Sequence, residues 1–84
     1  MIDTKMEVII MKSRCVEVMK LVDKTYNQYK HYGKVILKPT LECLKAQREF
    51  VANDPLLSDE ERGDMDMYIT TYIAELYYDK ASSK

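Results

Sequence analysis

The chain contains a single histidine, His31, and that limits most of the chemistry side chains can do. No Ser/His/Asp arrangement is possible beyond that one imidazole. It stands two residues before Gly33, at the expected end of a helix, where an imidazole commonly caps carbonyls. No Gly-rich phosphate loop, HExxH pair or EF-hand spacing is present. The acidic run Asp59, Glu60, Glu61, Asp64 and Asp66 matches no ligand loop for Mg²⁺ or Ca²⁺. Its simpler role is to complement the positive end of a helix dipole and to keep the surface soluble. A carboxylate pair for acid–base work also needs a pocket, and a three-helix domain has little room for one. The expectation is a non-enzyme without catalytic residues, metal or cofactor.

The stretch with most chemical promise is Tyr26 to Lys34. It holds Tyr26, Tyr29, Lys30, His31, Tyr32 and Lys34 and no acid. Tyrosine rings stack on bases while lysines meet phosphates, so an anionic nucleotide or a single strand would suit these residues. Tyrosine is equally the usual anchor of protein interfaces, being large, rigid and amphipathic. A third reading is that the rings only close the core with their hydroxyls at its rim. Duplex DNA is disfavoured, because no helix shows an Arg/Asn/Gln reading face. In an up-down-up arrangement the end of the first helix lies beside the end of the third, which adds Tyr72, Tyr77 and Tyr78 to this end.

These residues must be positioned by helices. The chain has 84 residues, 46% of them hydrophobic, with two Gly and two Pro. That composition favours long helices in one small domain over a turn-rich sheet. The fold expected is an all-α antiparallel three-helix bundle, with two long helices and one shorter middle helix, over about 4–32, 39–53 and 58–80. Thr4 with Glu7, and Ser58 with Glu61, have the spacing of capping boxes. Gly33 suits the position just past a helix end. The first helix carries a 3-4 seam through Val8, Met11, Cys15, Val18, Val22, Thr25, Tyr29 and Tyr32. In the second, Cys43, Leu44, Phe50 and Val51 share the expected inner face, with Gln47 in their midst. The third buries Met65, Tyr68, Ile69, Tyr72, Ile73 and Leu76, and Gly63 weakens its early turns or kinks them. Residues 33–39 read as an apolar connector, since Pro39 biases Lys38 away from helix.

Two features exceed what one small core can absorb. Met6, Val8, Ile9, Ile10 and Met11 make the first turns apolar nearly all round, and such a helix wants cover on every side. The third helix has a second 3-4 stripe, Met67, Thr71, Ala74 and Tyr78, behind its main face. Met6, Ile9, Ile10, Met67, Thr71, Ala74 and Tyr78 are therefore the expected interface residues, implying a homo-oligomer (dimer or higher) and a protein partner. Charge is also segregated. Residues 1–50 hold ten Lys/Arg against six Asp/Glu, net +4, and residues 51–84 hold three against eight, net −5.

Compartment follows from what is missing. Cys15 and Cys43 lack metal-ligand spacing and are too few for a secreted disulfide scaffold, so both are expected as buried small apolar residues. The N-terminal run lacks the order of a signal peptide, and no apolar run is long enough to span a membrane. A cytoplasmic protein without membrane contact is expected. The leading functional expectation is a non-catalytic interaction protein of inhibitor, immunity or adaptor type. The rival is a binder that sequesters an anionic nucleotide at the Tyr/Lys end, and a weaker third is a nucleic-acid accessory protein.

Overall fold

The computed structural model describes residues 2–82, with side chains from Arg14 to Ser82. The described chain is all-α. Helix α1 spans Ile2–Tyr32, a short 3-10 turn follows at Gly33–Ile36, and α2 (Leu37–Ala52) and α3 (Asp59–Ser82) complete the chain. No helix among the described residues is long and apolar enough to cross a membrane.

Local chemistry accounts for each boundary. Gly33 has φ +79°, the left-handed conformation that a residue without Cβ adopts freely, and it ends α1. The residues after it do not form an irregular connector. They continue as 3-10 turn and then helix, and α2 starts at Leu37, two residues ahead of Pro39. Lys38 is helical despite the proline behind it. Pro39 falls in the first helical turn, where backbone N–H groups have no intrahelical acceptor and a missing donor costs nothing. Ser58 opens α3 with a reciprocal capping box: Glu61 N–H donates to Ser58 Oγ at 3.2 Å, and Ser58 N–H donates to Glu61 Oε1 at 2.8 Å. Gly63 neither kinks nor interrupts α3, which runs unbroken past it.

Cross-helix partners define how the helices lie. Cys15 meets Glu61, Tyr26 meets Glu75 and Tyr29 meets Asp79, so α1 and α3 ascend together. Thr25 meets Cys43 and Gln47 while Arg14 meets Asp54 just past the end of α2, and Lys45 lies over Tyr77 while Arg48 meets Thr70, so α2 runs against its two neighbours. The core is Val18, Val22 and Tyr29 from α1, Leu41, Leu44 and Val51 from α2, Leu57 from the loop, and Met65, Ile69, Ile73 and Leu76 from α3. Leu44, Ile69, Leu76, Val22 and Val51 are wholly enclosed. Each such side chain stabilises the fold by about 1.5–3 kcal/mol relative to exposure.

Three residues expected inside lie outside. Phe50 is 65% exposed and Tyr32 62% exposed, and Cys43 is exposed as well. Phe50 and Val51 are adjacent on one helix, 100° apart, and Val51 takes the core place. Cys43 loses the same competition to Leu44.

The loop between α2 and α3 is tied to α1 by one buried carboxylate. Asp54 Oδ2 accepts from Arg14 Nε at 2.8 Å and from Arg14 Nη2 at 2.6 Å, and its Oδ1 accepts from Leu56 N–H at 2.9 Å. The Asp54 carbonyl accepts from Arg62 Nε at 3.0 Å. The Leu56 backbone donor, with the Arg14 guanidinium working against burial, holds the Asp54 carboxyl below the usual carboxylate range.

Candidate protein interface

With α3 covering one side of the α1–α2 pair, the opposite side stays open. There Arg14, Val18, Leu21 and Val22 of α1 face Cys43, Ala46, Gln47, Phe50 and Val51 of α2 across a groove of about 370 Å³. Its floor is the outer edge of the core. Its walls are Leu21, 59% exposed, and Phe50. Both are large apolar side chains held in water by the core placement of the residue beside them, Val22 and Val51. The groove is closed at one end by the Arg14–Asp54 pair.

Thr25 makes the polar contacts that cross the groove floor, to Cys43 at 3.8 Å and to Gln47. Gln47 Nε2 donates to Thr25 Oγ1 at 3.0 Å, and Thr25 donates in turn to the Leu21 carbonyl at 3.0 Å. Gln47 Oε1 is buried without a hydrogen-bond partner. The Gln47 amide therefore does not cap a backbone group. It joins α2 to α1 and fixes their register, as a single polar residue within an apolar seam can.

Four tyrosines, Tyr26, Tyr29, Tyr68 and Tyr72, lie on the other flank of α1, between α1 and α3. Tyr26 donates to Glu75 Oε2 at 2.5 Å, Tyr29 to Asp79 Oδ2 at 3.0 Å and Tyr72 to Asp23 Oδ1 at 2.8 Å, while Tyr68 also donates to Asp23. Tyr26 stacks on Tyr72 with centroids 4.3 Å apart, and Tyr68 meets Tyr72 edge-on at 5.3 Å. Burial, then the carboxylate bond, raises the pKa of Tyr26, Tyr29 and Tyr68. For Tyr72 the contact with Tyr68 pulls downward, but burial and Asp23 outweigh it and the pKa is again raised. These hydroxyls are thus committed to acids on the neighbouring helix.

The sequence-predicted residues divide accordingly. Of the Tyr/Lys set, Tyr26 and Tyr29 belong to this ladder. Lys30, His31, Tyr32 and Lys34 are exposed, with Lys30 Nζ 5.8 Å from the Tyr26 ring and His31 edge-on to Tyr32 at 4.7 Å. Of the expected interface, Met67, Thr71, Ala74 and Tyr78 all lie exposed along α3, Met67 at 72% and Tyr78 at 73%. The side chains of Met6, Ile9 and Ile10 lie outside the described residues. Sequence reasoning missed the groove residues Leu21, Ala46 and Phe50. The available signal was the pair of apolar doublets Leu21-Val22 and Phe50-Val51, since two bulky neighbours 100° apart on a helix compete for one core position.

Among the described residues no group of three or more His, Cys, Asp or Glu side chains is arranged to hold a metal ion. No protein-family model matches the chain, and the searches of curated proteins and solved structures returned no match.

Proposed function

We propose that this chain is a non-catalytic interaction protein, of inhibitor, immunity or adaptor type, working as an antiparallel three-helix bundle. It binds helices of other chains, or of its own copies, on surfaces that its three helices leave uncovered. The observation that carries the reading is the α1–α2 groove: apolar, three-sided and walled by Leu21 and Phe50, it has the form of a seat for a further helix. The exposed α3 stripe of Met67, Thr71, Ala74 and Tyr78 is a second such surface. Apolar walls of this kind are where hot-spot contacts form.

Photo-leucine, close in shape to leucine, tests this with little disturbance to the fold. Incorporated in the expression host and irradiated there, it should cross-link from Leu21 to a helical segment of another polypeptide or of a second copy. Phe50→Glu should abolish that adduct while leaving the helical circular dichroism unchanged. If Leu21 forms no intermolecular adduct, the reading is wrong.

A second reading, binding of an anionic nucleotide, has one observation in its favour. Lys20, Asp23, Lys24, Asn27, Gln28, His31 and Tyr32 line a shallow basin of about 510 Å³ along the outer face of α1. It predicts a thermal shift with a mono-, di- or cyclic nucleotide that disappears in Lys24→Glu. A full panel without a shift would dispose of it.

A further inference from the structure

Helix α2 starts early enough to put Lys38 on one face with Leu41 and Lys45, and that face meets the last turns of α3. Leu37, Lys38, Leu41 and Lys45 of α2, with Tyr77 and Lys80 of α3, enclose a basin of about 410 Å³, a volume in the range of small-ligand sites. Its floor is apolar, since Leu41 is buried and Leu37 half-buried. Its rim is cationic: Lys38, Lys45 and Lys80 are all exposed, and Glu42 is the one acid that borders it. The basin shares no lining residue with the α1–α2 groove or with the basin on the outer face of α1.

Among the described residues neither Lys38 nor Lys45 is in salt-bridge contact with an acid, Glu42 included. Lys45 Nζ instead lies 5.2 Å from the centre of the Tyr77 ring. The Tyr77 phenol is lowered, first by its bond to Lys45, against burial, and then by the charges of Lys45, Lys80 and Arg48. Negative charge at this wall is therefore stabilised by cations from two helices.

We propose that the basin binds a small-molecule phosphate monoester, its phosphate held among Lys38, Lys45 and Lys80 and its ester group lying on Leu37 and Leu41. Three ammonium groups against one carboxylate leave two positive charges. A phosphate monoester, nearly dianionic at neutral pH, balances both, whereas a carboxylate balances one. Lysine meets phosphate as a compact charge with three donors. The ligand leaves the α1–α2 groove open, so the interaction reading stands whether or not it binds.

Phenyl phosphate, titrated into the full chain and followed by amide shifts, tests this. Saturable shifts should centre on Lys38, Lys45 and Lys80. Absorbance at 295 nm should show the first tyrosine ionising at higher pH when the ester is bound, because the dianion offsets the cations around Tyr77, and Tyr77→Phe should remove that effect. Lys38→Ala should weaken binding about fivefold and Lys24→Ala less than about twofold. Lys38 is exposed, and circular dichroism checks that the fold is kept. No saturable shift, or a loss on Lys24→Ala in place of Lys38→Ala, overturns the site. Inorganic phosphate binding as tightly as phenyl phosphate overturns the role of Leu37 and Leu41. A tyrosine-phosphorylated peptide binding about tenfold tighter than phenyl phosphate overturns the small-molecule source.

Discussion

The same substitution at the two glycines should shift stability in opposite directions. Gly63 lies inside α3, beyond the capped first turn, and a Cβ added there meets nothing within 4 Å. Gly63→Ala therefore changes only backbone freedom and helix propensity, a gain of about 0.5–1 kcal/mol. For a domain of this size that raises Tm by about 2–8 °C. Gly33 also has open space around its Cα, so crowding is again absent, but its φ is +79°. Placing an L side chain there costs about 1–2 kcal/mol, offset in part by the lower entropy of the unfolded chain. The net is a loss of about 0.5–1 kcal/mol, lowering Tm by a similar interval. Thermal melts at 222 nm, run at one protein concentration because association would shift Tm, measure both. Urea midpoints at unchanged m give an independent reading. Two variants moving in the same direction would refute the argument, and a loss at Gly63→Ala would mean that α3 bends or is covered there.

Three further outcomes follow from the polar contacts. The ladder phenols Tyr26, Tyr29, Tyr68 and Tyr72 have raised pKa values in the fold, so their stabilisation is complete below the unfolded value near 10 and is lost as pH rises beyond it. Absorbance at 295 nm should show Tyr77, which its contact with Lys45 lowers, ionising ahead of the ladder, and the ladder ionising together with the loss of helix. At the acid end, Asp54 and Glu61 are lowered, chiefly by the Leu56 and Ser58 backbone donors, so their contribution is present above about pH 4 and disappears as pH falls through their folded values. Asp54→Asn should flatten the pH dependence of Tm below pH 4 and lower Tm at neutral pH, and a variant with an unaltered acid limb would contradict the assignment. Finally, Cys43 is exposed, whereas burial, then its bond to Glu61, raises the pKa of Cys15, so iodoacetamide at pH 8 should alkylate Cys43 first by peptide mapping.

Where one helix face had a single claimant per turn, the sequence was legible. Met65, Ile69, Ile73 and Leu76 repeat at 3-4 spacing between flanking polar residues, and all four are buried. Ser58 with Glu61 is a local signal, and both of its hydrogen bonds form. Doublets were ambiguous: periodicity admits Phe50 or Val51 to the core, and only the packing of the helices decides for Val51. Pro39 misled because its effect depends on helical position, and the first turn tolerates what an interior turn would not. The tyrosine–carboxylate ladder was invisible for a different reason. Its acids, Asp23, Glu75 and Asp79, come from both helices, and pairing them with phenols requires knowing that α1 and α3 ascend side by side.

That ladder has a graduated character. Its phenols and acids recur about one turn apart on both helices, Asp23, Tyr26 and Tyr29 against Tyr68, Tyr72, Glu75 and Asp79. Slid by one turn toward the far end of α3, Tyr26 would reach Asp79 and Asp23 would keep Tyr72. Like the scale of a vernier, the marks nearly coincide at more than one setting. What fixes the zero is unrepeated: the Arg14 fork on Asp54 and the Cys15 bond to Glu61 at one end of the helix pair, and Gln47 against Thr25 on the opposite flank. Position along α1 is thus set by these solitary contacts, and the aromatic rungs supply grip at whatever notch they select.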